Sequence, residues 1–496
     1  MYLISGLITM TLLLLAPWLA FAADSQGDAQ ASADQVQAGS VTVQGSVRTR
    51  VEGWDWFQDP GYENTYAFPG SLFRLSFSQQ RRDFEWNFEI AAPVLLDLPG
   101  SAVAPAPQGQ LGFGANYFAA NNKSQNAAGV FPKQAYIRLR HLGGSERQSV
   151  QLGRFEFLDG SEVMPADPTL AAVKRDRIVQ RLIGNFGFSD VQRSFDGFHY
   201  VYSLPALNFT ILGAIPTRGV FQTDGWGWLN TGFLYTSLTG QVRASGKNPG
   251  EWRLFGIYYD DWRHVLKIDN RPTAQRQSDT GNIRIGTFGG HYLQAFNTEA
   301  GTMDLMAWGA LQTGAWGSLA HRAGAGAGEA GYQPKILKSL RPWLRAGTFY
   351  GSGDSNSGDN RHGSFFQILP TPRPYARFPF FNLMNNEDTF GELVLRPGKI
   401  VTVRSDVHTL RLASRNDLWY SGGGAFQPWT FGYTGRPSNG ARSLATLYDT
   451  SVDYQLGRHA SVGVYYGYAE GKSVIRDLYP QKPNGQLGFL ELSYRF

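Results

Sequence analysis

Polar and apolar residues alternate one by one along segment after segment of this chain, a period of two that puts side chains on opposite faces of a β-strand. In VTVQGSVRTRVEG, Val41, Val43, Val47 and Val51 share one face, while Thr42, Gln44, Ser46, Arg48, Arg50 and Glu52 share the other. DFEWNFEI repeats the pattern, with Phe84, Trp86, Phe88 and Ile90 opposite Asp83, Glu85, Asn87 and Glu89. So do FRLSFS around Arg74, AYIRLR around Arg138 and Arg140, IVTVRSDVH around Arg404, Asp406 and His408, and SVGVYYGY near the C-terminus. Soluble sandwiches alternate too. Here, however, the apolar face carries bulky aromatic and branched residues over about ten positions at a time, with turn clusters between, which is a lipid-facing pattern. In hydrocarbon every backbone amide must be paired within the protein, so such strands cross only as a closed sheet. At about 25 residues per strand and connection, the chain beyond residue 40 predicts roughly 16 to 20 strands, an even number near 18.

The prediction is therefore an all-β, transmembrane antiparallel β-barrel over residues 40–496, wide enough for an aqueous lumen unless loops narrow it. Three connections are long enough to do so: residues 97–133, rich in Gly, Pro and Asn; 160–195; and 351–388. Connections of this length are functional or disordered, and inward folding of at least one is weighed equally with its staying outside. Within the second, LAAVKRDRIVQRLIGNF has apolar positions at helical spacing and a polar side carrying Lys174, Arg175, Arg177 and Arg181.

Composition adds the compartment. Residues 1–22, MYLISGLITMTLLLLAPWLAFA, read as a signal peptide cleaved near Ala22 after the small-x-small stretch Ala20-Phe21-Ala22, although no Lys or Arg precedes the apolar run. A membrane anchor is the competing reading. Residues 23–39, small and polar, read as a flexible periplasmic leader. Past residue 22 no apolar run reaches the length of about 18 residues that a spanning helix needs. With no cysteine there is neither a disulfide nor a thiolate metal site, so a closed hydrogen-bonded sheet must supply the stability of an exported chain. The formal charge of +5 is spread through strands, and this argues against nucleic acid as a partner.

Arginine on the polar faces is the main chemical signal, because guanidinium stays charged and binds carboxylate bidentately. One reading is an anion-attracting lumen. The other is a structural ion-pair lattice with Asp83, Glu85, Glu89, Asp406 and Glu491. Catalytic readings are weaker. GYAEGKS, Gly467 to Ser473, has one residue too few for a phosphate loop, and GDS at Gly353 to Ser355 lies in a turn-forming run. DSNSGDN lacks the glycine and terminal glutamate of a calcium loop, and the eight histidines show no metal spacing. AGAGAGEAGY, from Ala323, reads as a strand of small residues where something packs close. No catalytic residue, cofactor or metal is expected, and the chain is not expected to be an enzyme.

VQLGRFEFLDG (Val150 to Gly160), QTGAWGSLAHRAGAGAGEAGYQP (Gln312 to Pro334), GSGDSNSGDNRHGSFFQILPTPRPYARFPFF (Gly351 to Phe381) and the final LELSYRF together resemble the alginate export family of Gram-negative outer-membrane barrels. The resemblance implies an 18-stranded barrel whose electropositive, Arg-lined constriction passes an anionic polyuronate. By position on matching strands it implies Lys133, Arg154 and Glu491 in that lining. Alternation adds Arg48, Arg50, Arg74, Arg138, Arg140, Arg345, Arg404 and Asp406. The penultimate strand departs from the family pattern, with tyrosines in SVGVYYGYAEG where the naming members carry basic residues. The ending, with Leu490, Leu492, Tyr494 and Phe496 at alternate positions, resembles the C-terminal strand by which such barrels are recognised for assembly.

The function expected is thus an outer-membrane porin passing an anionic polysaccharide such as alginate, or a related anionic solute. Its expected partners are outer-membrane lipid and lipopolysaccharide, the barrel-assembly machinery and periplasmic export components. A solute-specific porin for small or apolar compounds is one alternative. An outer-membrane lipid hydrolase using Ser355 is the other.

Overall fold

The structure, a computed structural model, describes residues 36–242, 248–371, 375–379, 381–421 and 427–496. The expected signal peptide and most of the leader lie outside these residues. The end of the leader is ordered: Val36–Ala38 turns back at Gly39 and Ser40 and pairs with Val41–Val43, Gly39 taking a left-handed φ of 66°.

The main sheet has 21 strands, three of which are only two or three residues long. The other eighteen form the wall. In chain order they begin with β1 (Val41–Asp55), β2 (Thr65–Gln80), β3 (Phe84–Leu95), β4 (Phe131–Arg140), β5 (Gln148–Phe155) and β6 (Phe195–Leu204). Then come β7 (Leu207–Pro216), β8 (Thr231–Val242), β9 (Gly250–Asp261), β10 (Ile283–Asn297), β11 (Gly301–Trp316) and β12 (Leu319–Pro334). The last are β13 (Trp343–Gly351), β14 (Asn386–Leu395), β15 (Val401–Arg411), β16 (Ser443–Gln455), β17 (Ala460–Gly471) and β18 (Asn484–Arg495). Each is antiparallel to its neighbours, and β1 pairs with β18 from Ser46 opposite Arg495 to Asp55 opposite Gln486, closing a barrel of eighteen strands. Closure leaves no edge, so the wall's backbone is paired all the way round.

Alternation sets the two faces as the sequence predicts. Phe73 and Leu75, Phe84 and Phe88, Ile137 and Leu139, and Leu490 and Leu492 point outward and are exposed, whereas Arg50, Glu89, Arg345 and Glu491 on the intervening positions are buried inside. The AGAGAGEAGY stretch is strand β12, and its inward Ala325 and Ala327 leave room for chain inside the barrel. At the seam Phe496 extends the ladder one residue beyond β18: its amide donates to Gly45 O and its carbonyl accepts from Gly45 N, both at 3.0 Å. A Cβ on Gly45 would stand 2.3 Å from the Phe496 ring, so a side chain there would require that ring to move.

The two ends of the barrel differ. Connections at one end are short turns such as 81–83, 205–206 and 298–300, while those at the other include 96–130, 156–194, 352–385 and 412–442. Phe496 and the start of β1 lie on the short-turn side, which in outer-membrane barrels faces the periplasm. The long 96–130 and 156–194 connections carry helices α1 (Phe113–Ala120) and α2 (Pro168–Arg177). Two one-turn helices, α3 (Thr273–Ser278) and α4 (Ser473–Leu478), lie in later loops. Helix α2 starts where its sequence says it should: Asp167 Oδ1 accepts the Leu170 amide at 2.9 Å, Pro168 opens the first turn, and Lys174, Arg175 and Arg177 fill the last. It is shorter than the helical spacing predicts, because Gln180 is left-handed (φ 67°) and the chain turns away after Ile178.

Candidate functional site: the channel lumen

The connection 156–194 does not stay outside. It runs through the barrel and is held to the wall by charge at several stations. Asp190 Oδ1 lies 3.2 Å from Arg48 on β1, and the Arg48 guanidinium also donates to Gly187 O and Ser189 O. Arg50 donates to Phe188 O at 2.8 Å, to Glu491 of β18 at 2.9 Å through Nε, and to Glu52, with its guanidinium stacked 3.9 Å over the Phe188 ring. Glu156 receives Arg74 of β2 at 2.7 Å and Lys133 of β4 at 3.2 Å. On the far wall Glu162 meets Arg253 at 2.9 Å, Lys174 meets Glu251 at 2.5 Å and Asp176 meets Arg404 at 3.1 Å. Arg177 Nε sits 2.8 Å from Glu329 of β12, and Arg181 stacks over Trp308 and Tyr375.

A second connection, 352–385, folds in beside it. Ile183 and Leu369 form a parallel bridge, Thr371 Oγ1 accepts the Phe186 amide at 2.9 Å, and Tyr375 OH donates to Val179 O at 2.8 Å. The α1 loop locks the first segment from above, Tyr117 OH accepting the Asp190 amide. Ser355 of the GDS stretch is exposed in a turn, and Asp354 and Asn356 spend carboxylate and amide oxygens on the amides of Asn356 and Gly358.

Each arginine singled out by alternation or by the resemblance has an acidic partner. Besides those above, Arg74 reaches Glu89, Arg138 and Arg140 share Glu85, Arg154 grips Asp196 with two bonds of 2.7 Å, and Arg345 bridges Asp304, Glu329 and Glu392. The members differ in access. Lys133, Arg50 and Arg345 are buried; the first two hold the inward chain directly, while Arg345 pairs with wall carboxylates. Arg48, Arg74, Arg138 and Arg140 keep 16, 22, 32 and 30% of the side chain exposed, and each is more exposed than the carboxylates it pairs with. Arg154 is the reverse, at 12% against 21% for Asp196. Of the tyrosines on β17, Tyr465 turns inward onto Asp449 and Tyr466 outward. Alternation alone does not single out Glu329, Glu392 and Asp304, although each lies on the polar face of a strand. Glu156 and Asp190 sit in loop, where no period marks them, and Asp176 lies near the end of α2.

Asp159, just beyond β5, controls part of the inward segment. Its Oδ1 accepts the Leu182 and Ile183 amides at 3.2 and 3.0 Å, and Oδ2 has no partner among the described residues. Burial pushes its carboxyl up to about 6, against the opposing pull of the Arg253 guanidinium and the Ile183 amide. A carboxyl raised above its unfolded value of about 3.9 binds more protons when folded, so stability is greatest at low pH and falls as pH rises through about 6. At about 1.4 kcal/mol per unit the change is a few kcal/mol. The Leu182 and Ile183 amides are therefore expected to open less often at about pH 5 than at about pH 7.5 in hydrogen exchange corrected for intrinsic rate. Asp159→Asn should flatten that dependence.

The fold is similar to those of solved outer-membrane proteins. OccK9 (OpdG) of Pseudomonas aeruginosa superposes with a TM-score of 0.56 at 9% identity, covering 92% of this chain and 98% of that one. A BenF-like porin from Pseudomonas fluorescens Pf-5 gives 0.55 at 8% identity with the same coverage, and OpdK of P. aeruginosa gives 0.53 at 11%, again over 92% and 98%. No curated protein matches the sequence. The model of the family described as alginate export matches residues 119–471, well over half the chain. With that match and an eighteen-stranded closed barrel around an arginine-bearing interior, the chain belongs to the alginate export family of outer-membrane barrels.

Proposed function

We propose that this barrel is a passive channel for anionic, carboxylate-bearing solutes of the uronate type, moved by exchange between successive guanidinium groups. The observation that carries the reading is the layering of charge in the lumen. Acids accompany the arginines throughout, but at Arg48, Arg74, Arg138 and Arg140 the cation is the more exposed member of the pair, narrowly so for Arg74 against Glu156. A solute meets the outer layer of each pair first, and low-dielectric walls strengthen that field. The paired acid keeps each contact weak, which a conducting site needs, since tight binding prevents release.

Planar-bilayer recording of the purified barrel in a salt gradient tests this. A reversal potential on the anion side and block by oligouronates are expected. Arg74→Ala with Arg140→Ala should reduce both several-fold, while cation selectivity, or indifference to uronate, would sink the reading.

A second reading, a porin for small anionic or apolar solutes, is favoured by the two inward segments meeting at the Ile183 and Leu369 bridge, which narrows the interior. OpdK, one of the similar structures, was solved with vanillate, a small aromatic carboxylate. Block by uronate monomers but not by oligomers would select it.

A further inference from the structure

Two aspartates face each other inside the barrel: among the described residues Asp406 has no hydrogen bond, and Asp449 accepts from the Tyr465 hydroxyl and from the Arg377 and Phe378 amides but pairs with no basic side chain. Asp406 on β15 and Asp449 on β16 are register partners, both buried. Like charges directly opposite each other on a sheet are destabilising, and burial without a counter-charge makes them more so. Arg404, two residues before Asp406 on the same face, gives its guanidinium to Glu392 at 2.9 Å and Asp176 at 3.1 Å. Arg377 Nη2 is 4.0 Å from Asp453.

His408 completes the group. It follows Asp406 by two positions, so it shares the inward face. A carboxylate oxygen of each aspartate and a ring nitrogen of His408 all lie within 4.8 Å of one another. Nδ1 of His408 is 2.9 Å from Asp388 Oδ2 on β14, which leaves Nε2 as the free ligand atom. The ring is fully buried and Nε2 has no partner, nor has Asp406 Oδ1. A buried imidazole held by a carboxylate through one nitrogen, with the other nitrogen unpartnered beside two carboxylates, is the usual surrounding of a metal-bound histidine. The rings of Phe390 and Phe381, with centroids 5.4 and 6.2 Å from that of His408, make an apolar surround.

We propose that Asp406, His408 and Asp449 bind one divalent cation of the first transition row, with Asp388 as the positioning residue that orients His408. Two carboxylates neutralise the ion, and a mixed N/O set with one imidazole suits Zn²⁺ better than Mg²⁺ or Ca²⁺, which take oxygen ligands. Sequence spacing could not reveal the site, because Asp449 joins it only through strand pairing. Asp449 Oδ2 also accepts the Arg377 amide at 3.1 Å, so the ion would sit where the inward 352–385 connection is tied to the wall.

The test uses the untagged full barrel, its folding verified by heat-dependent gel mobility, stripped with a chelator and titrated with Co²⁺. One Co²⁺ per chain with visible ligand-field absorption, displaced by Zn²⁺, is expected. His408→Gln and Asp449→Asn should abolish the band, Asp388→Asn should weaken affinity about 10- to 100-fold, and His264→Gln, an exposed histidine in the 262–282 connection, should change nothing. No stoichiometric uptake by the wild-type barrel overturns the proposal, and so does uptake that folded His408→Gln and Asp449→Asn retain. If those variants do not fold, a Co²⁺ spectrum of the wild type without imidazole coordination overturns it as well. Conductance selectivity is read separately, so failure here does not bear on anion passage.

Discussion

Glu329→Ala is expected to cost the folded barrel about 3–5 kcal/mol, the usual result of removing one partner from a buried ion cluster. Glu329 is 2.8 Å from Arg177 Nε, 3.1 Å from Arg345 and 3.9 Å from Arg181, all of them buried. Arg345 keeps Asp304, and Arg181 keeps the faces of Trp308 and Tyr375. Arg177 keeps the Tyr375 carbonyl at 3.3 Å and the Phe390 and Tyr375 rings at 4.2 and 5.6 Å, but no paired carboxylate within 4 Å among the described residues. An unneutralised guanidinium has to leave the interior, and helix α2 leaves with it. Equilibrium unfolding in urea, followed by tryptophan fluorescence, should show the midpoint fall, and single-channel conductance should rise in the same variant. An unchanged midpoint would mean that the cluster contributes no net stability. Removing Arg138, one-third exposed, should cost less than about 1 kcal/mol by contrast.

The larger functional effect is expected from replacing residues 162–186 with a short glycine and serine linker. This removes α2 and the strip that bridges to Leu369, and conductance should rise several-fold toward that of an open barrel of this strand number, which encloses an aqueous channel. The barrel itself should survive. Glu251, Arg253 and Glu329 lose partners, but they face incoming water and no longer a packed interior, so the penalty for an unpaired buried charge does not apply. Bilayer recording gives the conductance, and heat-dependent gel mobility confirms the closed wall. Unchanged conductance would place the ion path somewhere other than along this segment.

The wall was legible in the sequence because a period of two survives in every strand that has lipid on one side and water or polar groups on the other. Arg74 between Phe73 and Leu75, or Glu491 between Leu490 and Leu492, is assigned its face from neighbours alone. The interior was legible only in part. The helical spacing around Lys174 to Arg181 marks α2, yet nothing local says that it folds inward, because the partners that hold it, Glu251, Glu329 and Arg404, are distant in sequence. The same holds for exposure: Arg50 and Arg48 are equivalent by pattern, and the packing of Phe188 and Phe489 on Arg50 buries one and leaves the other partly open. Asp406 is placed by alternation, while its pairing with Asp449 depends on register.

The hydrogen bonds of Arg50 carry a consequence for the order of assembly. One guanidinium touches the first strand's Glu52, the last strand's Glu491 and the inward segment's Phe188 carbonyl. Contacts between residues so far apart in the chain form late, since loop closure must come before they can repay it. The central segment therefore cannot settle against this corner until the cylinder has shut, and a barrel still open at its seam would hold that segment loose. Permeability during biogenesis would then end in two separable steps, first zippering of the wall and afterwards docking of the inner chain.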